Sequence, residues 1–465
     1  MIKNLKHIII FFVLSLWDIP VGMSQNWLPM AKGIDCGFSN GEVKSIVVDP
    51  VADKLYISGN FYYNGDCTPM RGVARWTGVK WLPVGSGVQG LEYKYGMTMF
   101  RDTLFLSGNF YYSNLKSYLA KWNGTYWDTI PNAHDITVLS SAEKDGILYT
   151  AGSFDFFGGD STYMIHKYDG SQFVGDVPFC FSGSGGYVNA MAFYQDELYI
   201  AGYYSLVPCK LLSSLAKWDG TDLQLLGPEF ANTGANCNIQ AMVEYKGELY
   251  MGGYFKQANG YAGNYIMKWN GTSFSSVGTG MNNWVRCLKV YNDKLYVGGD
   301  FTQAGGVASN YVAMWDGTNW NSVTTDTFAL NIGASISVEA INVYHDSLII
   351  GGLFTSINGD TACRKIAKYN HALTDIQNPS NNGEFNIFPN PAAHQVTLEF
   401  DLTEITGISI EIKNVLGQKM KAIGNDSYTV GTNRLQVDLV DLPNGIYFIQ
   451  LNKNGQKMTK KIIKQ

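Results

Sequence analysis

Charge is scarce in this chain. Asp, Glu, Lys and Arg make up 16% of its 465 residues and sum to a formal net charge of -5. A mildly acidic protein has no electrostatic reason to bind phosphate backbones, so nucleic acid is not expected as a partner. Histidine is scarcer still. His134, His166, His345, His371 and His394 are scattered, with no pair at metal-ligand spacing, so no metal site and no cofactor is expected. There is no HExxH and no GxSxG, which removes the helix-borne zinc peptidase and the nucleophile elbow. Carboxylates are too thinly spread to nominate a general acid and base. No apolar run reaches the ~20 residues that span a bilayer, so the mature chain should hold no transmembrane segment.

Other residues are abundant. Hydrophobic residues reach 46%, with 51 Gly and 29 Tyr. That profile suits many short strands joined by tight turns, and it argues against a disordered chain. The first residues read as a secretory signal. Lys3 and Lys6 precede a mostly apolar run from Ile8 to Leu16. Pro20 follows, and Gly22 and Ser24 sit at the small-residue positions of a cleavage site before Gln25. The signal peptide is expected over residues 1–24, and the exported chain would meet oxidising conditions.

A repeat fills the middle of the chain. The string Leu-Tyr-x-x-Gly-x-Phe recurs with small changes around Gly59, Gly108, Gly152, Gly202, Gly253, Gly299 and Gly352. A second string, roughly Ala-Lys-Trp-Asn/Asp-Gly-Thr-x-Trp, follows each copy, with its ring at Trp76, Trp122, Tyr168, Trp218, Trp269, Trp315 and Tyr369. Asn-Gly and Asp-Gly between apolar strands are strong hairpin signals, because both central residues need positive φ. Asp169, Asp219 and Asp316 are therefore read as turn formers. Four strands per repeat, seven times over, predict an all-β chain, a seven-bladed β-propeller over residues 25–374. The repeats resemble kelch-like and cortical-marker-type propellers, whose units carry Gly-Gly-x-Phe and Trp-Asp-Gly-x-x-Trp strings. That resemblance implies a fold and says little of function. Gly85-Ser86-Gly87-Val88-Gln89-Gly90 matches GxGxxG, but it lies between two strands and is read as a turn.

After a polar linker over residues 375–385, a second pattern of alternating strands occupies residues 386–465 and predicts a small antiparallel β-sandwich. Its strings are Phe388-Pro389-Asn390-Pro391, Asn414-Val415-Leu416-Gly417-Gln418 and Leu442-Pro443-Asn444-Gly445-Ile446-Tyr447, closed by Lys460-Lys461-Ile462-Ile463. In these motifs the tail resembles the type A C-terminal sorting domain of the type IX secretion system. The resemblance implies delivery by outer-membrane secretion machinery to the cell surface or the medium. In that family the domain is usually removed by a sortase-type peptidase, and the product is often anchored to surface lipopolysaccharide.

Any recognition site is expected on the face that carries the longer loops, because the opposite face has only short hairpins. Those loops hold Tyr62, Tyr63, Tyr111, Tyr112, Phe156, Phe157 and Tyr204, rings that could stack on sugar or pack against protein. A binding or adhesion module for carbohydrate or protein is therefore expected. The alternative is a glycan-active hydrolase or lyase with its site at the propeller mouth. Two or three converging carboxylates with an Arg or His would favour the enzyme, and an aromatic shelf would favour binding.

Seven cysteines leave at least one unpaired. Cys36 with Cys67, and Cys180 with Cys209, each flank one repeat and are expected to pair. Cys287, in an innermost strand, should be a buried thiol. The seventh repeat lacks an outer strand, and Trp27-Leu28-Pro29-Met30 copies Trp81-Leu82-Pro83-Val84. Residues 26–32 should therefore close the ring as the outer strand of repeat seven, against Ile366 to Tyr369, with Trp27 in the place of Trp81.

Overall fold

A computed structural model describes residues 27–36, 41–88, 96–130 except 113–114, 136–154, 165–177, 187–205, 212–226, 230–231, 238–258, 261–330, 335–369, 385–388, 390, 392, 394–402, 406–414, 418–453 and 456–464. The chain divides into two compact bodies, Met1–His371 and Ala372–Gln465. The signal-peptide expectation falls outside the described residues.

In the first body each sequence repeat forms four antiparallel strands. In the first repeat these are Glu42–Asp49, Lys54–Asn60, Val73–Trp76 and Trp81–Pro83, paired in that order. The sixth repeat matches it with Val285–Tyr291, Lys294–Gly299, Val312–Trp315 and Trp320–Ser322. The Asn/Asp-Gly strings form hairpins as expected, but only the glycine takes a positive φ (108° at Gly220, 98° at Gly271, 107° at Gly317); the Asn or Asp precedes it and caps the turn with its side chain. Asp316 Oδ1 accepts from Thr318 N and Asn319 N, both at 2.8 Å, and Asp219 and Asn270 do the same in their repeats. Each inner strand packs beside the inner strand of the next repeat, and Ser337–Tyr344 of the seventh packs back on Glu42–Asp49 of the first. A ring of radiating sheets closed in this way is a β-propeller.

The ring is closed as the repeated Trp-Leu-Pro string predicts. Trp27–Pro29 joins Ser337–Tyr344, Ser347–Leu353 and Ile366–Tyr369 as the outer strand, with Trp27 opposite Tyr369, Leu28 opposite Lys368 and Pro29 opposite Ala367. Trp81 stands opposite Trp76 in the same way. Trp27 and Trp81 are both fully buried. Residues after the closing strand are clamped to the first repeat. Asp35 N donates to Tyr63 O at 2.9 Å, Gly65 N donates to Gly33 O at 3.0 Å, and Cys36 is disulfide-bonded to Cys67 with Cα atoms 5.2 Å apart. Closing that loop stabilises by about 3 kcal/mol in the chain-entropy account. Cys180 and Cys209 lie outside the described residues. Cys287 is half-buried rather than buried as a residue; its thiol donates to Val338 O at 3.7 Å, and burial pushes its pKa up.

The second body is an antiparallel sandwich. One sheet pairs Phe385–Phe388, Gln395–Leu402 and Gly431–Asp438; the other orders Lys419–Tyr428, Thr406–Asn414, Gly445–Lys453 and Gln456–Lys464. Val396, Leu398, Ile408, Ile410, Ile412, Ile449 and Leu451 form its core. The first strand starts at Phe385, expected as the linker's last residue, because its ring is buried in that core.

Candidate functional site

One irregularity recurs in the inner strands and builds the candidate site. The pairing register shifts between Val43 and Ser45, Val188 and Ala190, Ile239 and Ala241, Val285 and Cys287, and Val338 and Ala340. Each shift is a β-bulge that leaves one residue out of the ladder: Lys44, Asn189, Gln240, Arg286 and Glu339. The glycine of the Leu-Tyr-x-x-Gly string makes room for it. A Cβ on Gly59 would stand 2.1 Å from Glu42 O, and one on Gly299 would stand 2.0 Å from Trp284 O. The bulges lie at the end of the inner strands that meets the longer loops.

The bulged residues of repeats six, seven and one form one charge network. Arg286 Nε and Nη2 donate to Asp300 Oδ1 and Oδ2 at 3.0 and 2.8 Å. Glu339 lies 3.8 Å from Arg286 and 3.4 Å from Lys44, and Lys44 lies 2.9 Å from Glu42. Ser337 Oγ donates to Glu339 Oε1 at 2.8 Å. Burial alone would push the Glu339 carboxyl up, but the Lys44 and Arg286 charges outweigh it and hold its pKa below the ordinary value. Burial also pulls the Arg286 guanidinium down; the Asp300 hydrogen bonds and the Glu339 charge reverse this and raise it. These two groups are therefore firmly ionised at neutral pH.

Beside this network stands an aromatic shelf. The Arg286 guanidinium lies 4.1 Å from the centre of the Trp284 ring, within cation–π range. Trp284 packs on Tyr254 at 4.5 Å, and Tyr254 on Tyr265 at 6.1 Å. The mouth thus combines three carboxylates and an arginine with two half-buried rings, Tyr254 and Trp284, backed by buried Tyr265.

The residues named from sequence fare unevenly. Tyr62 is exposed, packs edge-on against Tyr63 at 4.7 Å, and has Arg71 at 6.0 Å from its ring. Tyr111 and Tyr112 end the strand Thr103–Tyr112, and Tyr204 lies on Glu197–Ser205; their side chains, and Phe156 and Phe157 entirely, lie outside the described residues. Tyr254, Trp284, Arg286, Glu339, Lys44 and Asp300 were not anticipated. For Lys44, Trp284, Arg286 and Glu339 the signal is a flanked valine at the start of the inner strand, as in Glu42-Val43-Lys44, Trp284-Val285-Arg286 and Ser337-Val338-Glu339. Among the described residues no cluster of His, Cys, Asp and Glu is arranged to hold a metal ion.

The sorting motifs meet on the final strand. Asn390 Nδ2 donates to Lys461 O at 3.0 Å, and its Oδ1 accepts from Ile463 N at 2.9 Å. Tyr447 Oη donates to Pro443 O at 2.8 Å, and Lys464 Nζ lies 3.5 Å from Asn444 Oδ1. Buried Leu442 donates its N–H to Leu439 O. Phe388 is exposed, Gly445 opens the strand Gly445–Lys453, and Pro389 and Pro391 lie outside the described residues.

Comparison with known proteins separates the two bodies. Karilysin of Tannerella forsythia is 32% identical over 90 residues, which is 17% of this chain and 18% of that protein. The chain thus spans under a fifth of that relative's length. Among solved structures, PorZ, a surface component of the type-IX secretion system of Porphyromonas gingivalis, is 11% identical with a TM-score of 0.27, over 90% of this chain and 73% of its own. The β-propeller domain of the Trilobed protease of Pyrococcus furiosus is 9% identical with a TM-score of 0.37, over 71% of this chain and 93% of its own. The family model for the secretion system C-terminal sorting domain matches residues 386–465. The second body is thus a type IX sorting domain, and the chain that carries it is a protein exported to the cell surface or the extracellular space.

Proposed function

We propose that the chain is a seven-bladed, kelch-like propeller that binds carbohydrate or protein outside the cell, an adhesion module with a signal peptide at residues 1–24 and a sorting domain that engages the outer-membrane secretion machinery. The observation that carries the binding reading is the Tyr254–Trp284–Arg286 shelf beside carboxylates already committed to cations. Glycoside hydrolysis needs one carboxyl kept protonated as a general acid. Glu339 has the opposite bias, because its neighbours hold it ionised.

A glycan array probed with the full chain and with Trp284→Ala tests this. Retention of one glycan class by the parent chain, lost in the variant, supports the reading. New reducing ends appearing on incubation with that glycan would establish the hydrolase or lyase instead. Removal of residues 388–465 should leave the propeller folded and confined to the periplasm; protease-accessible truncated protein on intact cells would sink the sorting role.

A further inference from the structure

The seam between the seventh and first repeats differs from the others in a way that opens a cleft. At each seam the ring of the Leu-Tyr string faces the third-strand ring of the following repeat. Tyr199 accepts a hydrogen bond from Trp269 Nε1 at 3.2 Å, Tyr149 packs on Trp218 at 6.3 Å, and Phe105 on Tyr168 at 5.8 Å. The same string places Tyr56, Tyr250 and Tyr296 in this position, and the seventh copy places Ile349 there. Its partner ring is Trp76, whose Nε1 has no hydrogen-bond partner among the described residues.

A lysine without a carboxylate lies next to it. In repeats four and five the lysine before the third-strand ring pairs with a glutamate that opens the second strand: Lys217 with Glu197 at 2.8 Å and Lys268 with Glu248 at 2.6 Å. In repeat seven the lysine is Lys368 and Ser347 stands at the glutamate position, as Thr103 and Ile147 do beside Lys121 and Lys167 in repeats two and three. Lys368 is exposed and has no ion pair among the described residues.

Ile349, Trp76, Ser347 and Lys368 line one cavity of about 390 Å³ with Tyr344 and His345. That volume falls in the range of small-ligand pockets. At the rim His345 stacks on Tyr344 at 3.9 Å and is held by Asp53 at 2.8 Å, so the histidine is already engaged. The cleft lacks the aromatic ring that the other six repeats place in this strand position, and the Lys368 ammonium has no carboxylate partner among the described residues. It lies beside the short hairpins, away from the shelf at the longer-loop mouth, and on the face from which little recognition was expected.

We propose that this cleft binds a uronic-acid residue of an acidic polysaccharide, whose ring takes the place of the missing aromatic ring against Trp76 and whose carboxylate pairs with Lys368. The two substitutions that fill these places from within the chain, with the ring of the other six repeats and with the glutamate of repeats four and five, are therefore the test. Calorimetric titration of the full chain with trigalacturonate should give saturable one-site binding, and the matched neutral trisaccharide should bind at least about tenfold more weakly, the worth of one charged hydrogen bond. Ile349→Tyr and Ser347→Glu should each weaken trigalacturonate by about tenfold or more while leaving Tm unchanged or higher. Lys294→Gln, an exposed lysine on the sixth repeat, should bind as the parent does. No binding of trigalacturonate, equal binding of the neutral sugar, or full binding by both restoring variants would overturn the proposal. So would one-site binding of a Tyr-Glu peptide in its place.

Discussion

Trp27 and Tyr369 face each other across the strands that close the ring, with ring centroids 5.1 Å apart and planes at 71°. The backbone N–H of Trp27 also donates to buried Asp326 Oδ2 at 3.0 Å, and Asn358 Nδ2 donates to the other oxygen at 2.7 Å. This seam differs from its neighbours in one bond. Trp81 Nε1 donates to Met30 O at 3.2 Å, Trp127 Nε1 to Val84 O at 3.2 Å, and Trp320 Nε1 to Val277 O at 2.9 Å. The corresponding carbonyl at the closing seam is Val323 O, and it is taken by Tyr369 Oη at 3.0 Å. Trp27 Nε1 is left buried without a partner.

Two tryptophans in the same strand position should therefore respond differently to the same change. Trp27→Ala should cost about 3–5 kcal/mol in urea unfolding, as expected for a buried Trp. Trp27→Phe should cost clearly less than Trp81→Phe, because only the second strands a buried carbonyl, a penalty of about 1–3 kcal/mol. Equal costs would show that the two indoles are bonded alike. Removing residues 25–33 should lower the melting temperature of the whole propeller, since it exposes a strand edge as well.

The closing strand was legible because it is a local copy: Trp27-Leu28-Pro29 at one end of the repeat array reproduces Trp81-Leu82-Pro83 within it. The existence of the hairpin turns was legible for the same reason, since a turn capped by its own Asn or Asp side chain needs only its own residues. The mouth was not. Lys44, Arg286 and Glu339 read as ordinary polar positions of amphipathic strands until the bulge takes them out of the ladder. The bulge depends on a glycine 13 to 15 residues later, on the neighbouring strand (Gly59, Gly299 and Gly352). Their encounter needs the ring itself, because Glu339 and Lys44 stand nearly 300 residues apart. The seam cleft was hidden differently. Ile349 passes for an ordinary strand residue, and only the packing at the other seams shows that a ring is missing.

The bulge glycine gives a second prediction. Gly299→Ala would place a Cβ 2.0 Å from Trp284 O, and the same added atom would lie 3.1 Å from Phe301. The backbone carbonyl has to move. The cost should be about 1–3 kcal/mol, typical of overpacking. The shift should reach Trp284 and Arg286, so binding at the shelf should fall along with stability. An alanine variant with parental stability and binding would show that the bulge does not need the glycine.

Glu339 supplies a third. It holds two cations at the seam between the last repeat and the first, and its side chain is only 12% exposed. Glu339→Gln keeps the shape and the Ser337 contact but leaves Lys44 and Arg286 without their shared carboxylate. Removing one partner of a buried pair costs about 3 kcal/mol. Because the folded-state pKa of Glu339 is lowered, its contribution is present above the unfolded carboxylate pKa and is lost as pH falls through the lower folded value. The glutamine variant should lose this part of the acid limb, so its deficit should shrink as the pH is lowered. A deficit independent of pH would assign the loss to packing alone.

The hairpin aspartates make the last prediction, and the chain contains its own control. Asp219 Oδ1 accepts from Asp222 N, Thr221 N and Thr221 Oγ1, all at 2.8 Å. The backbone bond from Asp222, then those from Thr221, hold its carboxyl down at about 2. Asp169 and Asp316 are lowered by the same kind of bonds, the backbone one leading in each. A depressed carboxylate adds stability above its unfolded pKa and loses it as pH falls toward the folded value. The melting temperature should therefore decline from about pH 4 downward, within the range set by these shifts. Asn123 and Asn270 occupy the same turn position in repeats two and five, and their Oδ1 atoms accept the same backbone bonds at 2.8 to 3.0 Å. Asparagine thus satisfies the turn without a titrating group. The triple variant Asp169→Asn, Asp219→Asn, Asp316→Asn should melt close to the parent at neutral pH and show a shallower decline in acid. A triple variant that unfolds at neutral pH would show that the charge, and not only the acceptor geometry, holds these turns. An unchanged acid limb would place the pH dependence elsewhere, with Glu339 the next group to examine.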